Sequence, residues 1–73
     1  PMEGFMDEIR YVADRIALIL EGLPENERLV MALHYQEDLS YREIAQVMNL
    51  TAGRISQIHT QGMIRIRAKL KIA

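Results

Sequence analysis

Apolar residues recur at three- and four-residue steps through Phe5, Ile9, Val12, Ala13, Ile16, Ile19, Leu20 and Leu23, which predicts an amphipathic helix from about Met2 to Glu21. Gly22 ends it. Pro24 then suits the first turn of a second helix, where its missing N–H costs nothing, and Glu25 and Glu27 sit favourably at the positive end of that helix's dipole. This second helix, 24–36, carries Leu29, Val30, Leu33 and Tyr35 as its apolar positions. Beyond it two further periodic segments, 40–48 and 52–70, follow in close succession. No stretch alternates apolar and polar residues between Gly or Pro turns, so strands are not expected. The pattern predicts an all-α fold, a small four-helix domain over 1–73.

The last two segments carry their own start signals. The Ser40 hydroxyl can accept from the N–H of Glu43 while the Glu43 carboxylate reaches back to the N–H of Ser40, a capping box. Leu39 and Ile44 are spaced to close a hydrophobic staple around that cap. Thr51 can cap the final helix, with Leu50 and Ile55 as its staple, and Asn49 is a residue type that tolerates the left-handed conformation. Apart from the cap, only Asn49 and Leu50 separate the two helices. So short a connection forces a steep crossing, the geometry of a helix-turn-helix whose second helix enters the DNA major groove. Ile44, Ala45, Met48, Leu50, Ile55 and Ile58 would face inward, with small Ala45 at the closest approach.

Composition narrows the function. With 73 residues and 49% hydrophobic content, a single compact unit is expected, without room for the walls of an enzyme cleft. No paired carboxylates, nucleophile–base pair or glycine-rich phosphate loop stands in a supporting context, so neither an enzyme nor a cofactor is expected. There is no cysteine, which removes disulfides and thiolate metal sites and fits a reducing cytosol. His34 and His59 cannot form a metal site by themselves. No apolar run approaches the roughly 20 residues that span a bilayer, and no leader precedes the first helix, so a soluble cytoplasmic protein without membrane or small-molecule partners is expected. A chain that starts at Pro1 reads as processed or as a fragment.

The formal charge of −1 conceals a strong polarity. Residues 1–51 hold four basic residues against all ten acids, a net −6, whereas 52–73 hold Arg54, Arg65, Arg67, Lys69 and Lys71 and no acid, a net +5. A cationic end that includes the last helix is an electrostatic footprint for phosphates. The alternative is a basic segment that merely complements the helix dipole and stays solvated. Gly53 and Gly62 both fall in that helix, where glycine costs about 0.5–1 kcal/mol relative to alanine. Close packing accounts for Gly62, and close backbone approach to DNA is open to Gly53. Met31, Met48 and Met63 read as core filling, and His34 as a half-buried helix residue.

Leu23-Pro24-Glu25-Asn26-Glu27-Arg28-Leu29-Val30 and Leu33-His34-Tyr35-Gln36-Glu37-Asp38-Leu39-Ser40, followed by the helix-turn-helix, resemble region 4 of bacterial sigma factors. Ser56-Gln57-Ile58-His59-Thr60-Gln61 and Ile64-Arg65-Ile66-Arg67-Ala68-Lys69-Leu70 are most similar to the flagellar and sporulation group. The resemblance covers about Leu23 to Leu70. It implies a domain of a longer factor that docks on RNA polymerase, on the flap of its beta subunit, and reads double-stranded promoter DNA at the minus-35 element through the last helix. It further implies an apolar groove that an anti-sigma factor can occupy, with Leu29, Leu33, Tyr35 and Ile44 as candidate partner-binding residues.

The family's reading positions fall on Ala52, Gly53, Arg54 and Gln57. Arg54 can make a bidentate contact to guanine, and Gln57 can pair with the N6 and N7 of adenine. Ala52 and Gly53 can do neither, which implies a weaker or relaxed readout. Ser56 and His59 are expected on an adjacent helical face, Tyr41 and Arg42 at the start of the preceding helix to clamp phosphates, and Thr51 and Arg65 to complete the DNA-binding set. Two other readings stay open: an interaction module of the same fold, held by an anti-sigma factor or by self-association with little DNA binding, and a repressor that binds paired half-sites as a dimer.

Overall fold

The computed structural model describes residues 2–71. Pro1, Ile72 and Ala73, part of the expected single domain, lie outside the described residues. The fold is all-α: α1 (Met2–Glu21), α2 (Glu25–Tyr35), α3 (Tyr41–Met48) and α4 (Ala52–Leu70). The Gly22 N–H donates to the carbonyls of Leu18 and Ile19 at 3.2 and 3.1 Å, which closes α1. Pro24 stands just before α2 as its N-cap, at φ −51° and ψ 148°, and not in the first turn. Between α2 and α3 the chain turns through Asp38, which holds a left-handed φ of 56°. Aspartate is one of the few side chains that tolerates this region. His34 Nδ1 donates to the Leu39 carbonyl at 2.9 Å and pins the turn.

The helix-turn-helix forms through its caps. The Ser40 N–H donates to Glu43 Oε1 at 3.0 Å and the Glu43 N–H to Ser40 Oγ at 3.1 Å, so both halves of the capping box are made. Asn49 is left-handed, at φ 57° and ψ 45°, and the Leu50 N–H returns to the Ala45 carbonyl at 2.9 Å. Thr51 Oγ1 then accepts from the Arg54 N–H at 3.0 Å and starts α4. Val30, Ile44, Ala45, Ile55 and Ile58 are buried together between α2, α3 and α4, with Leu33, Leu39, Tyr41 and Met48 packed against them.

Two positions depart from the expected pattern. Leu50 is 41% exposed, because the left-handed Asn49 swings it to the outer edge of the turn instead of into the core. Ile44 is wholly buried at the centre of the core and therefore cannot line a partner groove.

The molecule is also less compact than expected, extending 48 × 23 × 18 Å. A helix the length of α1 spans about 30 Å, more than the three-helix core can cover. α1 packs on α4, and its half-buried apolar residues, Ile16, Ile19 and Leu20, fall in its C-terminal third. Phe5, Met6, Ile9 and Val12 stay 63%, 57%, 47% and 51% exposed.

Gly62 is buried where α2 crosses α4. A Cβ built there would stand 2.5 Å from the Met31 terminal methyl and 3.6 Å from Glu27 Cβ. The close crossing is what Gly62 permits, but the nearest obstacle is the mobile end of a methionine. Gly62→Ala therefore changes stability by less than about 1 kcal/mol, as the helix gain offsets the Met31 shift. Gly62→Leu costs about 1–3 kcal/mol through overpacking, with urea unfolding as the measurement for both.

Candidate nucleic-acid interface

Burial of Ile55, Ile58 and Gly62 sets the rotation of α4, and the opposite face is left to solvent. Gly53, Arg54, Ser56, Gln57, Thr60 and Gln61 are all exposed there. Arg54 Nη1 lies 3.5 Å from Gln57 Oε1, one turn apart on the helix. That separation is loose for a hydrogen bond, so both side chains are free to turn outward. Thr51 is exposed at the tip, and its hydroxyl, although accepting from Arg54, keeps a proton to donate. Thr60 Oγ1 donates to the Ser56 carbonyl at 3.0 Å.

The Cβ position of Gly53 meets only Thr51 Oγ1, at 4.0 Å. Packing does not require a glycine there, and its absence of side chain bares the backbone at the front of the helix. Ala52 is half-buried. Thr60 and Gln61 also join this face, beyond the residues expected from the sequence. The readable signal was their spacing, four residues beyond Ser56 and Gln57.

His59 does not share that face. Two residues on from Gln57 is about 200° around a helix of 3.6 residues per turn, so His59 points toward α2. Its Nε2 is 2.7 Å from the Tyr35 hydroxyl. His34, Tyr35, Tyr41 and His59 form one aromatic cluster, with the His34 and His59 rings 5.5 Å apart and the Tyr41 ring 5.1 Å from His34. Burial, and then the proximity of His34, hold the His59 pKa below its ordinary value. The Tyr35 hydroxyl and the His59 ring thus share a hydrogen bond. Tyr41 is thus half-buried in this cluster, while Arg42 beside it is exposed. Backbone and side-chain hydrogen bonds from Ser40 keep Glu43 below the usual carboxylate range, so α3 starts with a fixed negative charge.

Arg65 also departs from its expected role. Its Nε stands 3.0 Å and 3.1 Å from the two carboxylate oxygens of Glu27, a side chain only 3% exposed. One of the cations assigned to DNA therefore neutralises a carboxylate inside the fold. Arg65, Arg67, Lys69 and Lys71 follow Arg54 by eleven residues or more, roughly 16 Å or farther along the helix. The positive charge of α4 is concentrated at the end opposite the exposed polar face, and Arg54 is the cation at the front.

The four expected partner-binding residues are not brought together. Ile44 is core, Leu33 packs against the core, and Leu29 is exposed. Tyr35 lines an apolar groove of about 250 Å³ with Leu20, Met31, Met63 and Ile66. Among the described residues no helix is long and apolar enough to cross a membrane, and no group of three or more His, Cys, Asp or Glu is placed to hold a metal.

A protein-family model described as sigma-70, region 4 matches residues 19–68. Over 70 residues, 96% of this chain and 28% of the relative, the chain is 44% identical to RNA polymerase sigma factor FliA of Pseudomonas aeruginosa. Identity to the FliA of Escherichia coli is 39% over the same shares. It is 40% to the RNA polymerase sigma-D factor of Bacillus subtilis, over 78% of this chain and 22% of that one. The chain thus spans about a quarter of the length of the curated relatives it matches. No solved structure matches it significantly.

Two stability measurements check these placements. Arg65→Ala leaves the Glu27 carboxylate buried without its partner and lowers the unfolding free energy by about 1–3 kcal/mol. Because the folded-state pKa of His59 lies below 6.5, the unfolded chain takes up the proton first on acidification. Stability present above pH 6.5 is lost as pH falls from there through the lower folded value, and urea midpoints between pH 7.5 and 5.5 decline less steeply in His59→Gln than in the parent chain.

Proposed function

This chain belongs to the sigma-70 region 4 family, of the type represented by FliA and sigma-D, and from that we propose that it recognises promoter DNA for a longer sigma factor bound to RNA polymerase. The observation that carries the proposal is the placement of Arg54 and Gln57 side by side on the exposed first turns of α4. The Asn49 turn and the Thr51 cap aim that end of the helix outward. In the major groove Arg54 donates to O6 and N7 of a guanine, and Gln57 pairs with N6 and N7 of an adenine, each contact worth about 1–3 kcal/mol of discrimination. Gln61, one turn farther, extends the same face. Arg42, Tyr41 and Thr51 contact phosphates, and the bare backbone at Gly53 lets α4 sit deep in the groove. The element read in this way is the minus-35 element.

The charge distribution sets the strength of binding. With Arg65 held by Glu27 and Arg67, Lys69 and Lys71 at the far end of α4, few phosphates are neutralised, and affinity for free DNA is low. Attachment to polymerase supplies the missing affinity by raising the local concentration of DNA around the domain. Polymerase docks through its beta-subunit flap on the apolar groove of Leu20, Met31, Tyr35, Met63 and Ile66, and an anti-sigma factor would compete for that groove. Two methionines let it adapt to either partner. The domain binds without catalysing, in the bacterial cytoplasm.

Fluorescence anisotropy on minus-35 duplexes tests this reading, with the domain alone and with the domain carried on polymerase. Arg54→Ala and Gln57→Ala each weaken binding by about 1–3 kcal/mol and shift base preference, whereas Arg42→Ala weakens all sequences alike and reduces the salt slope by about 1. Equal binding to any duplex in both settings rules out specific recognition by α4.

A further inference from the structure

The uncovered face of α1 has the spacing of a helix–helix seam. Phe5, Ile9, Val12, Ile16, Ile19 and Leu23 alternate four- and three-residue steps, the heptad pattern in which one helix packs along another. The core uses only the end of that seam. Leu23 is buried and Ile16 and Ile19 are half-buried, but Phe5, Ile9 and Val12 remain open and, with Ile16, line a shallow apolar furrow. Glu8 and Arg15 flank one side of the furrow, a heptad apart, and Ala13 and Met6 flank the other. Asp7, Arg10 and Asp14 stand on the opposite face of the helix.

We propose that the occupant of this furrow is α1 of a second copy of the chain, packed antiparallel about a two-fold axis near residues 10–11. In that arrangement Phe5 meets Ile16 of the second copy and Ile9 meets Val12, and the symmetry repeats both layers. Glu8 then lies beside Arg15 of the second copy, and Arg15 beside Glu8, so that the two charges flanking the furrow are complementary. The apolar flank closes Met6 over Ala13. A parallel pairing has no such match, because it sets Glu8 against Ala13 and Arg15 against Leu20. It also crowds two copies of the α2–α4 core at one end, which the antiparallel arrangement keeps apart.

The contact uses about twelve residues of each helix, roughly 18 Å. That places it at or below the ~1,200 Å² of the smallest stable interfaces, so the dimer is weak, on the order of 10–100 µM. The α4 face carrying Arg54 and Gln57 is not involved, so the proposal does not rest on DNA recognition.

Sedimentation equilibrium on the 73-residue chain, from about 5 µM to 1 mM, tests it. The expected result is a reversible monomer–dimer equilibrium that Ile9→Asp abolishes. Glu8→Arg and Arg15→Glu each weaken it about tenfold by opposing like charges, and the double variant restores it. All these sites are exposed and outside the core, and circular dichroism confirms that each variant keeps its helix content. A monomer throughout, a dimer indifferent to Ile9→Asp, or charge variants without effect and rescue would each overturn the proposal.

Discussion

Ile55 and Ile58 reach the core, and leave Arg54 and Gln57 outside it, because the chain turns sharply between Met48 and Ala52 within three residues. Asn49 takes the left-handed conformation, Leu50 passes over the outer edge, and Thr51 caps the new helix. A longer connection would allow α3 and α4 to lie antiparallel, and would leave the rotation of α4 to the burial of Ile55, Ile58 and Gly62 alone. The turn therefore decides which residues are core and which are presented. Ser40 and Glu43 perform the matching task for α3, so that both helices enter the core from fixed directions.

The second constraint is the close passage of α2 over α4. Gly62 brings Glu27 and Met31 against α4, and the buried Glu27 carboxylate then requires a cation, which Arg65 supplies less than one turn later. Structure and electrostatics are linked here in a way the charge count conceals. A segment with five basic residues and no acid presents less positive charge to DNA than its total implies, since Arg65 faces Glu27, Arg67, Lys69 and Lys71 lie beyond the polar face, and Arg54 alone stands at its front. A domain arranged in this way is suited to reading bases when held in place by a larger assembly, and poorly suited to searching for DNA alone.

Much of this was readable along the chain, for identifiable reasons. Caps and turns are local, so Ser40, Glu43, Asn49 and Thr51 announce the boundaries of α3 and α4 without any long-range information. Periodicity likewise shows which face of α1 is apolar. It cannot show whether the fold has surface enough to cover that face, and α1 runs past its support. Glu27 reads locally as a helix-dipole partner, because its cation lies 38 residues away. His59 cannot join Gln57 at the DNA-facing side, since residues two apart do not share a helical face. Ile44 is different: an apolar residue on a short helix can serve core or groove, and only the assembled packing assigns it to the core.

The most direct test of whether α4 presents its outer face to DNA is amide chemical-shift mapping of the chain titrated with a minus-35 duplex and with a scrambled duplex. The specific duplex should move Gly53, Arg54, Gln57 and Gln61, with Arg42 responding to both and the groove of Tyr35 and Met63 responding to neither. Shifts confined to that groove or to α1, or identical shifts with both duplexes across α4, would contradict it.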